Sequence, residues 1–91
     1  MAKGKRRKPK FPHLLGSKWT STKPIMGWRH FQVDNRQEKA GVVFAHMQSV
    51  CDESVSLWMN AKTLKNRRLW VAGWQTLEEM FPERYEDDED I

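Results

Sequence analysis

Residues 28–51 carry the sequence WRHFQVDNRQEKAGVVFAHMQSVC, in which two alternating segments flank a polar one. In the first seven residues, Phe31 and Val33 share one face, and the side chains between them point to the other. In 41–51, alternate side chains are again apolar. The polar segment 35–41 contains a glycine and predicts a hairpin loop. We therefore predict two antiparallel strands that form the middle of a β domain.

The predicted strand at 41–51 has one face formed by every second side chain: Val43, Ala45, Met47, Ser49 and Cys51. The opposite face is also largely apolar near its start, which favours a strand covered on both sides.

Segments before and after this pair extend the predicted sheet. Residues 17–22 predict a first strand, and 23–27 predict a connection because Pro and Gly interrupt a ladder. Residues 69–74 are apolar enough for a covering segment or an edge strand. Thr76 and Glu79 have the spacing of a capping box, which predicts the start of a short helix.

The segment 54–66 has two interpretations. In the first, a strand at 55–59 is followed by a helical turn at 61–66, with Asn60 as its N-cap and Ala61 facing inward with Leu64. In the second, the whole segment is one helix capped by Ser54. We favour the first interpretation, although short apolar runs suit both structures.

These elements predict a mainly β fold with one or two short helical turns. It is a small curled antiparallel sheet, or a partly open SH3/Tudor-like barrel, of three to five strands. We place a single tryptophan-rich domain at 13–81, between a disordered basic arm at 1–12 and a disordered acidic tail at 82–91. No apolar run is long enough for a membrane span.

The small size of the chain limits both the volume of its core and the kinds of functional site that it can form. A chain of 91 residues is one domain at most, which excludes a multidomain enzyme and leaves little room for a large catalytic pocket. So small a domain needs help to form a core, and one cysteine cannot form an internal disulfide. We therefore expect three or four of the five tryptophans to pack in or near the core.

The sequence predicts neither an enzyme nor a metal site. The candidate metal ligands His30, His46, Cys51 and Asp52 lack the paired spacing of zinc ligands. No third group orients a Cys–His pair for nucleophilic catalysis, and the five glycines are too scattered for a phosphate loop. We expect no catalytic residue, metal or cofactor.

The distribution of charged residues is more informative about function than the candidate catalytic and metal-binding residues are. Six of the 16 Lys and Arg residues lie in 1–10, and eight of the 12 Asp and Glu residues lie in 78–91, yet the segment between them is still basic. Basic side chains near aromatic rings suit single-stranded nucleic acid, because the cations contact phosphates and the rings stack on bases. The predicted phosphate contacts are Lys18, Arg29, Lys62, Lys65, Arg67 and Arg68, and the predicted stacking residues are Trp58 and Trp70.

Several runs resemble a bacterial family of small tryptophan-rich conserved hypothetical proteins. The runs are Leu15–Thr20, Lys23–Phe31, Val50–Asp52, Ser54–Trp58 and Leu69–Trp74, and they include all five tryptophans. The resemblance implies a cytoplasmic bacterial protein and adds no catalytic residue or cofactor. A chain with a single cysteine also suits a reducing cytoplasm.

We therefore predict a non-enzymatic module that binds RNA or single-stranded nucleic acid through a basic and aromatic surface. The alternative is a protein-interaction adaptor or an enzyme accessory subunit whose exposed tryptophan is a docking hot spot. The sequence predicts no membrane partner.

Overall fold

The computed structural model describes residues 10–82, which form one open, five-stranded antiparallel sheet. The strands are β1 (Lys18–Ile25), β2 (Trp28–Lys39), β3 (Val42–Ser49), β4 (Ser56–Asn60) and β5 (Trp70–Ala72). A 3₁₀ helix (Ala61–Lys65) lies between β4 and β5, and helix α1 (Leu77–Met80) follows β5. The strand order is β4-β3-β2-β1-β5. The predicted mainly β fold is confirmed, and the open sheet matches the curled-sheet alternative and not the barrel.

The core covers one face of this sheet. Phe31 and Val33 of β2 are buried, and so are Val43, Ala45 and Met47 of β3, as the alternation predicts. Side chains from other elements cover them: Leu14, Val55, Ala61, Leu64 and Trp70. Burial of one large apolar side chain contributes about 1.5–3 kcal/mol, so this layer stabilises the sheet. We call this side of the sheet the core face.

Two tight turns connect the first three strands. Met26 and Gly27 join β1 to β2, and Ala40 and Gly41 join β2 to β3. All four residues have positive φ, between 51° and 88°, as the central residues of type I′ hairpin turns require. The two turns therefore hold β1, β2 and β3 as a continuous antiparallel meander.

Two predicted connections are in the right place but are shorter than expected. β2 continues to Lys39, so only Ala40 and Gly41 of the predicted loop at 35–41 form the turn, and a register shift follows Val33. β1 continues to Ile25, so only Met26 and Gly27 of the predicted connection at 23–27 form the turn, and the irregular ladder there accommodates Pro24. The strands extend into polar or proline-containing sequence because a neighbouring strand pairs with them there.

The two interpretations of 54–66 are resolved in favour of a strand followed by a helical turn. The Lys62 backbone N–H donates to Asn60 Oδ1 at 2.9 Å, so Asn60 caps the 3₁₀ helix. Ala61 and Leu64 are buried, as predicted. A single helix over the segment is therefore excluded.

The C-terminal elements also follow the prediction. β5 is an edge strand paired with β1. Thr76 Oγ1 accepts from the Glu79 backbone N–H at 3.1 Å, and Glu79 Oε1 accepts from the Thr76 N–H at 2.9 Å. Both bonds of the capping box are thus present at the start of α1.

A strap formed by residues 73–75 crosses β1 and β2 on the side opposite the core face. Thr20 Oγ1 donates to the Gly73 carbonyl at 2.7 Å and accepts from the Gln75 N–H at 2.8 Å. His30 Nε2 lies 2.9 Å from the Gln75 carbonyl oxygen. Thr20 is completely buried beneath this strap, which satisfies its hydroxyl.

The expected role of the tryptophans needs correction. Only Trp70 is a core residue, with 3% of its surface exposed and an edge-on contact with Phe31. Trp19 is partly buried against the core, whereas Trp28, Trp58 and Trp74 are exposed. A sheet covered on one face has little interior volume, and Phe31, Met47 and the aliphatic side chains already fill it.

Most of the predicted arm at 1–12 and tail at 82–91 lies outside the described residues. Phe11, which is within them, packs against the core. No helix within residues 10–82 has the length and apolar character needed to cross a membrane.

The difference between buried and exposed tryptophans predicts unequal effects on stability. We expect Trp70→Ala to lower the free energy of unfolding by about 3–5 kcal/mol, because it leaves a cavity beside Phe31. Trp28→Ala, at an exposed position, should change it by less than about 1 kcal/mol. Urea denaturation followed by circular dichroism measures both, and equal effects would contradict the assignment of Trp70 to the core.

The turn before β4 gives a prediction about pH. The Ser54 hydroxyl donates to Asp52 Oδ1 at 2.7 Å and the Ser54 backbone N–H donates at 3.0 Å, so the Asp52 pKa is lowered from its usual 3.8. The hydrogen bond from the Ser54 side chain is the largest cause of the lowered pKa, the bond from the Ser54 backbone is the next, and Trp28 adds a weaker one. Ionised Asp52 therefore stabilises the folded protein. This contribution is fully present when the pH is above the usual pKa of Asp52, and it is lost as the pH falls through the lowered pKa of the folded state.

We therefore expect Ser54→Ala to raise the pKa of Asp52 toward its usual value. An NMR titration of the side-chain carboxyl carbon measures the pKa directly. Ser56→Ala is a matched control, because Ser56 makes no hydrogen bond to Asp52. An unchanged Asp52 pKa in Ser54→Ala would refute the assigned cause.

Candidate nucleic-acid interface

A groove on the core face consists of three adjoining clefts of about 610, 250 and 440 Å³. The largest and the smallest share Trp19, Leu64 and Lys65 in their walls. The smallest shares Phe11, Pro12 and Lys65 with the third. Because neighbouring clefts share walls, they form one path, which we call the basic groove.

Positive charge lines the whole path. Arg67 and Lys65 line the largest cleft, and Lys10 and Lys62 join Lys65 in the third. Among residues 10–82, no aspartate or glutamate lines these three clefts. Within residues 10–82, no lysine or arginine forms a salt bridge with a carboxylate. The charges of the groove are therefore available to an anionic ligand.

The 3₁₀ helix sets the direction of two of these cations. Residues three apart lie on the same side of such a helix. Ala61 and Leu64 face the core, so Lys62 and Lys65 project together from a neighbouring side and are exposed. Because Asn60 caps the first turn, this arrangement is anchored to the end of β4.

The turn after the helix presents the two arginines. The Asn66 carbonyl oxygen accepts from the N–H groups of Leu69 and Trp70, each at 3.0 Å. Asn66 Oδ1 accepts from the Arg68 N–H at 3.0 Å. These bonds close a tight loop with Arg67 and Arg68 on its exposed side.

Trp19 is the aromatic residue at the middle of the basic groove. Its indole lines both the largest and the smallest cleft and is partly buried against the core. Trp19 Nε1 donates to Ser17 Oγ at 2.8 Å, and Ser17 Oγ donates to the Leu14 carbonyl at 2.6 Å. The ring is therefore held in place before a ligand arrives.

A second aromatic ring lies further along the groove. Phe11 lines the two smaller clefts, and Lys65 Nζ lies 4.9 Å from the centre of its ring. This cation–π contact fixes the lysine near the wall while it keeps its charge accessible. The groove thus alternates aromatic and cationic side chains.

The structure brings only part of the predicted site together. Lys62, Lys65 and Arg67 line the basic groove, and Arg68 is exposed in the loop beside Arg67. Trp70 also lines the largest cleft, but with 3% exposure it has no free face for a base. Its predicted role in stacking is therefore corrected to a role in the core.

The other predicted residues lie elsewhere. Lys18 Nζ lies 4.7 Å from the ring centre of Trp74. Arg29 Nη1 donates to the Thr22 carbonyl at 2.7 Å. Trp58 contacts the ring of His46 in a tilted arrangement, on the side of the sheet away from the core face. The predicted set of eight residues therefore does not form one surface.

Sequence reasoning did not select Trp19, Phe11 or Lys10 as site residues. Trp19 lies near Leu64 only because β1 is next to β2 in the sheet and the 3₁₀ helix covers the same face. No local sequence pattern indicates this long-range arrangement. The abundance of cations between 62 and 68 was the only signal for the groove in the sequence.

No group of three or more His, Cys, Asp or Glu side chains within residues 10–82 is arranged to hold a metal ion. Cys51 is a free, exposed thiol.

A family model described as tryptophan-rich protein (DUF2389) matches residues 17–75, a segment that contains all five tryptophans. Neither a curated protein nor a solved structure matches the chain significantly. The match includes all eight lining residues of the largest cleft, from Trp19 to Gln75.

Proposed function

This chain belongs to the tryptophan-rich protein family (DUF2389), and from its basic groove we propose that it is a non-enzymatic module for RNA or other single-stranded nucleic acid. The observation that supports this function is the composition of the groove. Four cations and two accessible aromatic rings line it, and no carboxylate of the described residues 10–82 does. Such a lining attracts a polyanion and offers rings on which bases stack.

Each part of the groove has a distinct role in this proposal. Lys62, Lys65 and Arg67 contact phosphates, which gives affinity without sequence preference. Trp19 offers a ring to one base, a contact that contributes about 1–3 kcal/mol. A single strand suits this geometry better than a duplex, because its bases are free to turn toward a partly buried indole.

The sequence before the groove is also basic. Lys10 lines the third cleft, and five further Lys and Arg residues precede it in the sequence: Lys3, Lys5, Arg6, Arg7 and Lys8.

A protein-docking adaptor or an accessory subunit is the second candidate function. The observation that favours it is the exposure of three tryptophans, Trp28, Trp58 and Trp74, since exposed indoles are common interface hot spots. Phosphate binding weakens steeply with salt, whereas aromatic docking does not, so a salt titration distinguishes the two functions. A bacterial cytoplasmic location and the lack of catalysis remain part of the proposal.

Binding of a fluorescein-labelled single-stranded oligouridylate tests the function by fluorescence anisotropy. For the wild type, we expect the logarithm of the association constant to fall linearly with the logarithm of salt concentration. The double variant Lys65→Glu, Arg67→Glu should bind at least about tenfold more weakly, with a shallower slope. Lys23→Glu, Lys39→Glu is the control, because it changes net charge equally and both residues lie outside the groove.

A second pair of variants tests the stacking role of Trp19. Trp19→Leu should weaken oligouridylate binding by about fivefold or more, whereas Trp28→Leu should leave it nearly unchanged. Equal losses in both charge variants would indicate a general effect of net charge, and that result would reject the groove. Absence of binding to the wild type at low salt would reject the function.

A further inference from the structure

β4 forms one edge of the sheet, and its outer side has no neighbouring strand within residues 10–82. The strand reads SLWMN, without a charge, a proline or a glycine, and its ladder with β3 has no register shift. Natural sheets usually protect an edge with one of these devices. β5, at the other edge, has only three residues. β4 is therefore the edge that is open to pairing.

Trp58 lies at the centre of β4 and is 44% exposed. Its ring centre is 4.9 Å from that of His46, whose Nδ1 is 2.5 Å from Asp34 Oδ1. The carboxylate holds the imidazole and the imidazole supports the indole. Trp58 is thus fixed against the sheet while almost half of its surface remains in solvent.

We propose that β4 pairs with β4 of a second copy of this chain, in antiparallel orientation, about a two-fold axis at Trp58. In this register Trp58 lies opposite Trp58 of the second copy, Leu57 lies opposite Met59, and Ser56 lies opposite Asn60. Large apolar side chains therefore lie opposite large apolar side chains, and polar side chains lie opposite polar side chains. A two-fold interface requires this kind of self-complementarity.

Charges next to the strand favour the same orientation. An acidic turn containing Asp52 and Glu53 precedes β4, and Lys62 follows it in the 3₁₀ helix. Antiparallel pairing brings the end of one β4 beside the start of the other. Each acidic turn then lies beside Lys62 of the opposite copy, and this happens twice in the dimer. In a parallel pair, like charges would lie side by side.

Pairing also covers part of the exposed indole of Trp58. The second tryptophan of the dimer adds a directly opposed aromatic pair, which stabilises antiparallel strands. An interface of one strand from each copy is small, so we expect a dimer that dissociates on dilution.

Sedimentation velocity over a wide range of protein concentration tests the dimer. The wild type should shift from monomer to dimer as concentration rises. Trp58→Lys and Trp58→Glu should each raise the dimer dissociation constant at least about tenfold, because like charges then meet at the axis. A mixture of the two variants should regain the dimer, since opposite charges then meet at the same place. Circular dichroism shows whether each variant is folded.

Leu77→Lys is the control, because it introduces the same charge at an exposed apolar residue that lies outside β4 and outside the acidic turn before it. It should dimerise as the wild type does. A wild type that stays monomeric at all concentrations would overturn the proposal, and so would a Trp58→Lys variant that dimerises normally. Oligouridylate binding by the Lys65→Glu, Arg67→Glu variant reports separately on the basic groove, because neither residue takes part in the proposed pairing of β4.

Discussion

Covering one face of a small open sheet is the requirement on which the rest of the structure depends. Phe31 of β2 and Met47 of β3 are completely buried, yet the described residues 10–82 contain no second sheet to bury them. The cover comes from the segment before β1, from the 3₁₀ helix and from Trp70. The basic groove lies between these covering pieces. The same packing that forms the core therefore creates the candidate site.

The parts of the fold that follow from the sequence are those with a short-range cause. Alternation predicts which side chains of β3 are buried, because a strand repeats every two residues. The Asn60 cap and the capping box of Thr76 and Glu79 are also local, since each needs only residues two or three positions apart. These features were predicted correctly because their partners lie within one turn of the chain.

The parts of the fold and of the candidate site that could not be predicted depend on contacts between residues far apart in the sequence. The polar half of β2 is a strand because β3 pairs with it, and nothing within 35–39 shows this. Trp70 is buried because β5 returns to β1, and Trp19 lines the basic groove because the 3₁₀ helix lies over it. The sequence shows that indoles and cations are abundant. The tertiary structure determines which of them lie close together.

The pairing of β5 with β1 has a consequence for the order of folding. Trp19 of β1 pairs with Ala72 of β5, so this ladder closes a loop that contains the whole meander. Closing a long loop is entropically unfavourable until the elements within it have formed, and neighbouring hairpins form sooner. β5 therefore docks late. Because Trp70, Val71 and Ala72 line the largest cleft, an incompletely folded chain lacks that wall, and the basic groove is complete only after this final closure.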